Sequence, residues 1–136
     1  MSEPHRFTVR VYYEDTDFSG IVYHAAYLHY FERARTEFLR ALGVHHSELI
    51  KEGIAFAVRS MHIELDAAAQ IDDLLEVETR VEEVTAARFG LDQRIIREGK
   101  VITRAKVLAV AIKASGRPAR LPKLALERLR ESWTPD

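Results

Sequence analysis

The sequence contains no cysteine, which excludes disulfides, thiolate nucleophiles and metal sites built on cysteine. It has no signal-peptide segment and no apolar run long enough to cross a bilayer. We therefore expect no stable membrane insertion and a cytoplasmic location. Neither sign of charge is in excess, because 20 Lys and Arg stand against 21 Asp and Glu. Nucleic acid is not an expected partner, since binding to a phosphate backbone usually needs a clear basic surplus.

What the sequence does contain is typical of one globular domain. The 136 residues, of which 47% are hydrophobic, are enough for a substantial core but leave little room for a second domain. We found no internal repeat, low-complexity tract or linker. The sequence therefore predicts a single domain spanning residues 1–136.

Hydrophobic periodicity predicts one long helix and five strands. The helix covers about 24–42, where apolar residues recur at three- and four-residue steps (Tyr27, Phe31, Ala34, Phe38, Leu42) before Gly43. Alternation and β-branched content predict strands at about 7–13, 55–66, 73–84, 87–97 and 101–113. "REGKV" (97–101) is typical of a tight hairpin turn. A short helical turn at 45–53, capped by Ser47, and a C-terminal helix at 122–131 complete the prediction.

This order of elements predicts an α+β domain in two layers. The last four strands can pair as an antiparallel meander, with the apolar fifth strand at the centre and the long helix across one face. One helix covers little of such a sheet, so the other face or an edge should need a partner chain. We therefore expect a homo-oligomer.

The stretch "YYEDTDFSGIVYHAAY" (12–27) places three acids, a glycine and a histidine directly before the long helix. From the residue types alone it could be a metal loop, a helix cap or an acid/base centre. Asp15, Asp17, His24 and His29 could ligate a metal, but their spacing matches no standard ligand pattern, so no metal is predicted. The first N–H groups of the helix lack intrahelical acceptors and carry the positive end of its dipole.

The run "YYEDTDFSGIVYHAAYLHYFERARTEFLRALG" (12–43) resembles the signature of the 4-hydroxybenzoyl-CoA thioesterase-like hotdog family. The segments "AFAVRSMHIEL", "DDLLEVETRV" and "RPARLP" resemble its bacterial branch of acyl-CoA thioesterases associated with the Tol–Pal envelope system. This resemblance implies a hotdog fold, in which a five-stranded antiparallel sheet wraps around one long central helix. It also implies hydrolysis of acyl-CoA to a carboxylic acid and coenzyme A, with no dissociable cofactor.

The resemblance assigns roles to three residues of this stretch. Asp17 falls on the essential acid of the family, which attacks the thioester carbonyl or deprotonates a water, and the sequence leaves both routes open. The backbone amide of His24 falls on the oxyanion donor. Its imidazole could be structural, or it could orient Asp17 or protonate the leaving thiolate. Gly20 allows the tight turn that brings Asp17 to the helix end.

The other acids of this part of the chain are expected to be structural. Asp15 should hold the loop together through Thr16 and nearby amides. Glu32 and Glu37 are on the helix, where another hotdog branch places its acid, and here we expect them to be ion-paired with helix arginines.

The phosphates of a coenzyme A ester need cationic partners. The residues predicted to supply them begin one strand or flank the last turn: Arg88, Lys113, Arg117, Arg120 and Lys123. A solvated basic loop is the alternative for each of them. By resemblance, the assembly is a homodimer or homotetramer with sites between subunits.

Two other functions remain open at this stage. A hotdog hydratase or dehydratase would need a histidine–acid pair facing the β-carbon of the acyl group, whereas "DTDFSGIVYH" resembles the thioesterase pattern. An acyl-thioester-binding or scaffolding protein would instead contact envelope or lipid-synthesis proteins.

Overall fold

The computed structural model describes residues 3–133. The helices are α1 (His24–Ala41), α2 (His46–Lys51) and α3 (Lys123–Ser132). The strands are β1 (His5–Arg10), β2 (Ile54–Leu65), β3 (Leu74–Val84), β4 (Arg88–Arg97), β5 (Lys100–Lys113) and β6 (Pro118–Ala119). One turn of 3-10 helix (Tyr13–Asp15) follows β1. The predicted α+β class is confirmed, and the two-residue β6 is an addition to the five predicted strands.

The strands form one antiparallel sheet in the order β1-β3-β4-β5-β2, with β6 paired to β5. The strands β3, β4 and β5 form a meander as predicted, but the prediction that β2 joins it beside β3 is wrong. Instead β2 pairs with β5 along its whole length, from Ile54 opposite Lys113 to Leu65 opposite Thr103. The middle of the sheet is therefore β4 rather than β5, and β2 forms an edge that pairs with no other strand among the described residues.

The helix α1 packs on the sheet through the apolar stripe that the sequence predicts. Tyr30, Phe31 and Ala34 are fully buried, and Phe38 is nearly so. The backbone carbonyl of Phe31 accepts a hydrogen bond from the side chain of Gln93 on β4, which fixes the helix over the middle of the sheet. Truncation of a core aromatic of this kind typically costs about 3–5 kcal/mol.

Local turn chemistry explains most of the element boundaries. Glu98 and Gly99 form the predicted β4–β5 turn with φ of 51° and 79°, the left-handed pair that a two-residue hairpin needs. The prediction that Ser47 caps the short helix is wrong, because α2 begins at His46. His45 occupies the N-cap position and makes no side-chain capping hydrogen bond. No helix within residues 3–133 has both the length and the apolar character to span a membrane.

Candidate active site

Residues 12–23, which we name the acidic loop, form a small hairpin directly before α1. Thr16 and Val22 form a β-bridge, and the N–H of Tyr23 donates to the Asp15 carbonyl at 2.9 Å. At the tip, the Asp17 N–H donates to the Ile21 carbonyl at 3.0 Å. Because Tyr23 is also the N-cap of α1, this hairpin holds the tip beside the first turn of the helix.

Asp17 is at the tip of the acidic loop, and its side chain is exposed. Its Oδ1 accepts hydrogen bonds from the Ser19 hydroxyl at 2.6 Å and from the Ser19 N–H at 2.9 Å. These two donors lower the pKa of Asp17, the hydroxyl bond contributing most. The carboxylate is therefore ionised throughout the neutral range, with Oδ2 left for other contacts.

Gly20 closes the turn that carries Asp17. Its N–H donates to the Asp17 carbonyl at 3.1 Å, and its φ is +79°, in the left-handed region that favours glycine. A Cβ at this position would lie 3.5 Å from the side chain of Ile71, an ordinary contact distance. The backbone angle, and not a shortage of space, therefore explains the glycine.

The N-terminus of α1 offers free hydrogen-bond donors beside this loop. Tyr23 makes no side-chain cap, and within residues 3–133 no acceptor is found for the N–H groups of His24 and Ala25. The Ala26 N–H, in contrast, already donates to the Tyr23 carbonyl at 2.8 Å. Two uncapped amides at the positive end of an 18-residue helix can stabilise a developing negative charge.

The His24 side chain is exposed, with its ring centroid 4.4 Å from that of Tyr23. The acidic loop also exposes Tyr13 and Phe18, of which Phe18 is fully accessible. Exposed aromatic side chains at the mouth of a site are typical of a surface that a substrate or a second chain covers.

The acidic loop is hydrogen-bonded to residues 66–73, which connect β2 to β3. We name this segment the support loop. The Val22 N–H donates to the Ala69 carbonyl at 2.9 Å, and the Ile71 N–H donates to the Gly20 carbonyl at 2.8 Å. The Ala69 N–H in turn donates to the buried Tyr27 hydroxyl at 2.9 Å. The geometry of the acidic loop therefore depends on a segment nearly fifty residues later in the chain.

Arg97, at the end of β4, anchors the support loop from the other side. Its Nη1 donates to the Ala68 carbonyl at 2.7 Å and to the Asp73 carboxylate at 3.1 Å, in a half-buried ion pair. Sequence reasoning missed both Arg97 and the Tyr27 hydroxyl. A tyrosine on a buried helix stripe usually needs a partner for its hydroxyl, which was the one available signal for Tyr27. Nothing in the sequence indicated Arg97.

The remaining acids follow the sequence predictions in part. Asp15 accepts the Tyr12 N–H at 3.0 Å, which confirms its structural role, although Thr16 bonds the Tyr13 carbonyl instead of Asp15. Glu37 pairs with Arg40 at 3.3 Å as predicted. Glu32 has no cationic nitrogen within the 4.0 Å of an ion pair in the described part of the chain, so the pairing predicted for it is not found.

Within residues 3–133 no three His, Asp or Glu side chains are grouped as a metal ion would require. Two of the four residues that could have ligated a metal, Asp15 and Asp17, have other partners in the structure. Asp15 Oδ2 accepts the Tyr12 N–H, and Asp17 Oδ1 accepts the N–H and hydroxyl of Ser19.

The five cations expected to bind phosphate form a cation cluster at one end of the sheet. Arg88 begins β4 opposite Val110, and Lys113 ends β5. The Leu121 N–H donates to the Ala86 carbonyl at 2.8 Å, which brings the segment of Arg120 and Lys123 to the same end. Four of the five side chains are exposed and Arg88 is half-buried.

Within one chain, the cation cluster and the acidic loop are at opposite ends of the sheet. The support loop joins the end of β2 to the start of β3, and β3 begins where β4 ends. The ten residues of β4 therefore separate the two groups by about 30 Å at 3.3 Å per residue. One chain does not bring Asp17 and the cation cluster to a common site.

The comparisons with known proteins define the class of protein. The family model described as "Thioesterase-like superfamily" matches residues 11–129. A probable thioesterase from Bartonella henselae has the same fold, with a TM-score of 0.84 at 46% identity over 88% of this chain and 99% of that one. The hotdog fold and the family predicted by resemblance are confirmed, and the chain belongs to the thioesterase-like superfamily.

Two curated proteins show similarity of the same order. The chain is 46% identical over 119 residues to the acyl-CoA thioesterase YbgC of Haemophilus influenzae, covering 86% of this chain and 88% of that protein. It is 40% identical over 128 residues to the acyl-CoA thioester hydrolase YbgC of Escherichia coli, covering 93% and 96%. These relatives span nearly the whole length of the domain.

Proposed function

We propose that this protein hydrolyses acyl-CoA thioesters to a free carboxylic acid and coenzyme A. One observation carries the proposal: an ionised carboxylate, Asp17, is at the tip of a hairpin that ends at uncapped helix N–H groups. A thioester needs a nucleophile or base at its carbonyl carbon and donors for its oxygen, and these are the two components present. The names of the YbgC relatives support the same reaction and the same substrate class.

The reaction can proceed by two routes that use the same residues. In the first, an Asp17 oxygen attacks the carbonyl carbon of the thioester, and the N–H groups of His24 and Ala25 stabilise the negative charge that develops on the carbonyl oxygen. The C–S bond then breaks to release the thiolate. Water then cleaves the resulting anhydride. In the second, Asp17 takes a proton from a water that attacks directly. The free Oδ2 serves either route, and the exposed His24 imidazole can donate a proton to the thiolate.

The proposed site is complete only in an assembly of at least two copies. The acidic loop, the support loop and the first residue of β3 expose a group of large apolar side chains at one end of the molecule, namely Tyr12, Tyr13, Phe18, Tyr23, Ile71 and Leu74. The twelve-residue edge strand β2 has an unpaired side that can extend the sheet into a second copy. The cation cluster is too far from Asp17 to hold the phosphates of a substrate bound to the same chain. We therefore propose a homodimer, or a pair of dimers, acting in the cytoplasm where acyl-CoA is formed.

The decisive experiment compares Asp17→Asn with the wild type in thiol release from short, long and aromatic acyl-CoA esters. We expect kcat to fall by at least about 100-fold, because the amide can neither attack nor accept the proton. Glu14→Gln is the matched control, an exposed acid three residues away that should leave kcat unchanged. Turnover of no ester by the wild type, or full activity of Asp17→Asn, would contradict the proposal, and the first result would favour a binding or scaffolding role.

A single turnover in ¹⁸O-labelled water tests for the anhydride route, with label on Asp17 as its positive result. With enzyme in excess, direct attack by water puts the label in the product acid. If Asp17 attacks and water then opens the anhydride at the aspartyl carbon, the product of the first turnover is unlabelled. The label instead enters the Asp17 carboxyl group, where mass spectrometry of the peptide containing Asp17 detects it.

A further inference from the structure

Tyr30 has a buried hydroxyl that the proposed mechanism does not use. Its side chain is on the sheet-facing side of α1 and is fully buried. Within residues 3–133 no group meets the 3.5 Å distance and the angles of a hydrogen bond with its oxygen. A buried tyrosine hydroxyl usually has a partner, because water no longer satisfies it. The unpaired hydroxyl in the core therefore needs a specific explanation.

The Asp15 carboxylate faces this hydroxyl from the acidic loop. Burial raises the pKa of Tyr30, and Asp15 raises it further, as a hydrogen-bond acceptor and by its negative charge. Asp15 is half-buried, and its Oδ2 accepts the Tyr12 N–H at 3.0 Å. In the described part of the chain no donor is bonded to its Oδ1. The carboxylate is therefore close enough to act on the hydroxyl, but the pair is outside the strict geometry of a hydrogen bond.

Asp15 is also the residue at which the acidic loop is joined to the start of α1. Its carbonyl accepts the N–H of Tyr23, the N-cap of the helix, at 2.9 Å. The next residue, Thr16, forms the β-bridge with Val22, and Asp17 follows at the tip. A movement of Asp15 is therefore transmitted to Asp17 through a short hairpin. Catalysis is sensitive to displacements of this kind, even of an ångström or less.

Tyr27 makes a corresponding contact to the support loop. Its hydroxyl accepts the Ala69 N–H at 2.9 Å, and its ring meets that of Tyr30 edge to face, with centroids 6.1 Å apart. Residues three positions apart are neighbours on one face of a helix. One face of α1 thus presents two buried hydroxyls, that of Tyr27 to the support loop and that of Tyr30 to the acidic loop.

We propose that Tyr30 is a positioning residue of the candidate site: its hydroxyl donates to the Asp15 carboxylate in the active enzyme and holds the base of the acidic loop against α1. A small movement of the loop towards the helix is enough to form this bond. Because the acceptor is charged and the donor is buried, the bond is stronger than one between neutral, exposed groups. The positioning role rests on the proposed function, since it assumes that Asp17 performs the chemistry, whereas the hydrogen bond itself does not.

Tyr30→Phe tests the role, because it removes the hydroxyl and keeps the ring. We expect kcat for acyl-CoA hydrolysis to fall about tenfold with KM unchanged, since the groups that contact the substrate remain. Thr103→Val is the matched control. The Thr103 hydroxyl, on β5, is also buried and has no hydrogen-bond partner among the described residues, and its removal should leave kcat unchanged.

Thermal unfolding and NMR test the hydrogen bond without any turnover. Removal of a hydroxyl that donates a hydrogen bond lowers stability, whereas removal of an unsatisfied buried hydroxyl leaves it unchanged or raises it. We therefore expect Tm to fall in Tyr30→Phe and not in Thr103→Val. The NMR signal of the Tyr30 hydroxyl proton, identified by its absence in Tyr30→Phe, should move in Asp15→Asn, because a neutral amide is a weaker acceptor than a carboxylate.

The double variant Asp15→Asn, Tyr30→Phe shows whether the two residues act through one bond. If they do, it should lose no more kcat than the more severe single variant, whereas independent defects would multiply. Unchanged kcat in Tyr30→Phe, an equal fall in Thr103→Val, multiplied losses in the double variant, or a rise of Tm in Tyr30→Phe would each overturn the proposal. Absence of turnover in the wild type would contradict only the proposed function, and unfolding and NMR would still decide whether the hydrogen bond exists.

Discussion

The acidic loop and the cation cluster, at the two ends of the same sheet, are built in different ways. The acidic loop is one contiguous stretch whose hydrogen bonds join residues only a few positions apart, such as Asp17 to Ser19 and Gly20. The cation cluster comes from the start of β4, the end of β5 and the chain before α3. It has few specific contacts, and its side chains are mostly exposed.

In the proposed function, this difference corresponds to a division of labour between the two ends. A group that takes part in bond breaking must be held within a fraction of an ångström, and dense local hydrogen bonding provides that. Phosphate contacts depend mainly on charge and tolerate flexible side chains. We therefore expect changes at the acidic loop to act on kcat, and changes at the cation cluster to act on KM.

The largest expected effect is a recovery of activity in hybrid assemblies, in which one copy has an altered acidic loop and the other an altered cation cluster. Asp17→Asn and the double variant Arg117→Gln, Arg120→Gln should each be weakly active at low substrate concentration. If one site takes Asp17 from one copy and cations from the other, a hybrid contains one site with neither defect. Hybrid assemblies should then exceed the summed activity of the two variants by at least about tenfold.

The control for this experiment mixes Asp17→Asn with a chain carrying all three substitutions, which should give no recovery. Native mass spectrometry must show that hybrids form in both mixtures. If hybrids form but activity is not recovered, Asp17 and the cation cluster of one chain act in the same site. That result would contradict the separation of about 30 Å given by the ten residues of β4.

A smaller effect is expected from strain in the turn of the acidic loop. Gly20→Ala places a side chain at φ +79°, which costs about 1–2 kcal/mol. The turn should relax by moving Asp17, so kcat should fall about tenfold. Gly99→Ala is a matched control, because Gly99 has the same φ of 79° in the remote β4–β5 turn. Both variants should lose similar stability in thermal unfolding, and an equal loss of kcat in Gly99→Ala would refute the local explanation.

The support loop offers an intermediate comparison between two ion pairs. Arg97→Gln removes the half-buried contacts to Asp73 and the Ala68 carbonyl, which should cost about 1–3 kcal/mol locally. Arg104→Gln removes an exposed pair with Asp66 at the start of the same loop, worth about 0–1 kcal/mol. We expect kcat to fall about threefold to tenfold only in Arg97→Gln.

Amide hydrogen exchange distinguishes positioning from general destabilisation in these variants. The Val22 and Ile71 amides, which bond across the two loops, should lose protection in Arg97→Gln while the central strand β4 keeps it. Equal loss in β4 would show that Arg97 stabilises the domain as a whole.

The smallest effect concerns the acidity of Asp17. Ser19→Ala removes the strongest donor to the carboxylate, so the pKa of Asp17 should rise towards its ordinary value of 3.8. Because the ionised form is the reactive one, the acidic limb of the pH–rate profile should move to higher pH, with little change near neutrality. NMR titration of the Asp17 carboxyl carbon measures the shift directly. Ser115→Ala, in a remote turn, is the control. If the pKa of Asp17 is unchanged in Ser19→Ala, the Ser19 hydroxyl is not the cause of the lowered pKa.

The sequence predicted the elements of the fold well because their signals are local. The start of α1, the β4–β5 turn and the bounds of β2 to β5 all follow from periodicity and turn residues within a few positions. The order of the strands did not follow, since the pairing of β2 with β5 depends on contacts forty to sixty residues apart in the chain. Nothing local distinguishes a strand that pairs with its neighbour from one that crosses to an edge.

The candidate site divides in the same way. Asp17, Gly20 and His24 were indicated by a contiguous motif, and the structure places the first two in one hairpin directly before His24, which begins α1. Their catalytic roles remain predictions. Arg97 and the Tyr27 hydroxyl were not indicated, because each depends on partners from other elements of the fold.

By itself, the sequence determined which residues are the candidates for chemistry and the turn that presents them, because carboxylate, glycine and helix start are neighbours along the chain. Only the tertiary structure decided which segment supports that turn, and it placed the cation cluster at the far end of the sheet. Hydrogen bonds and charges act through space, so groups distant in sequence become partners only when the strand order is set.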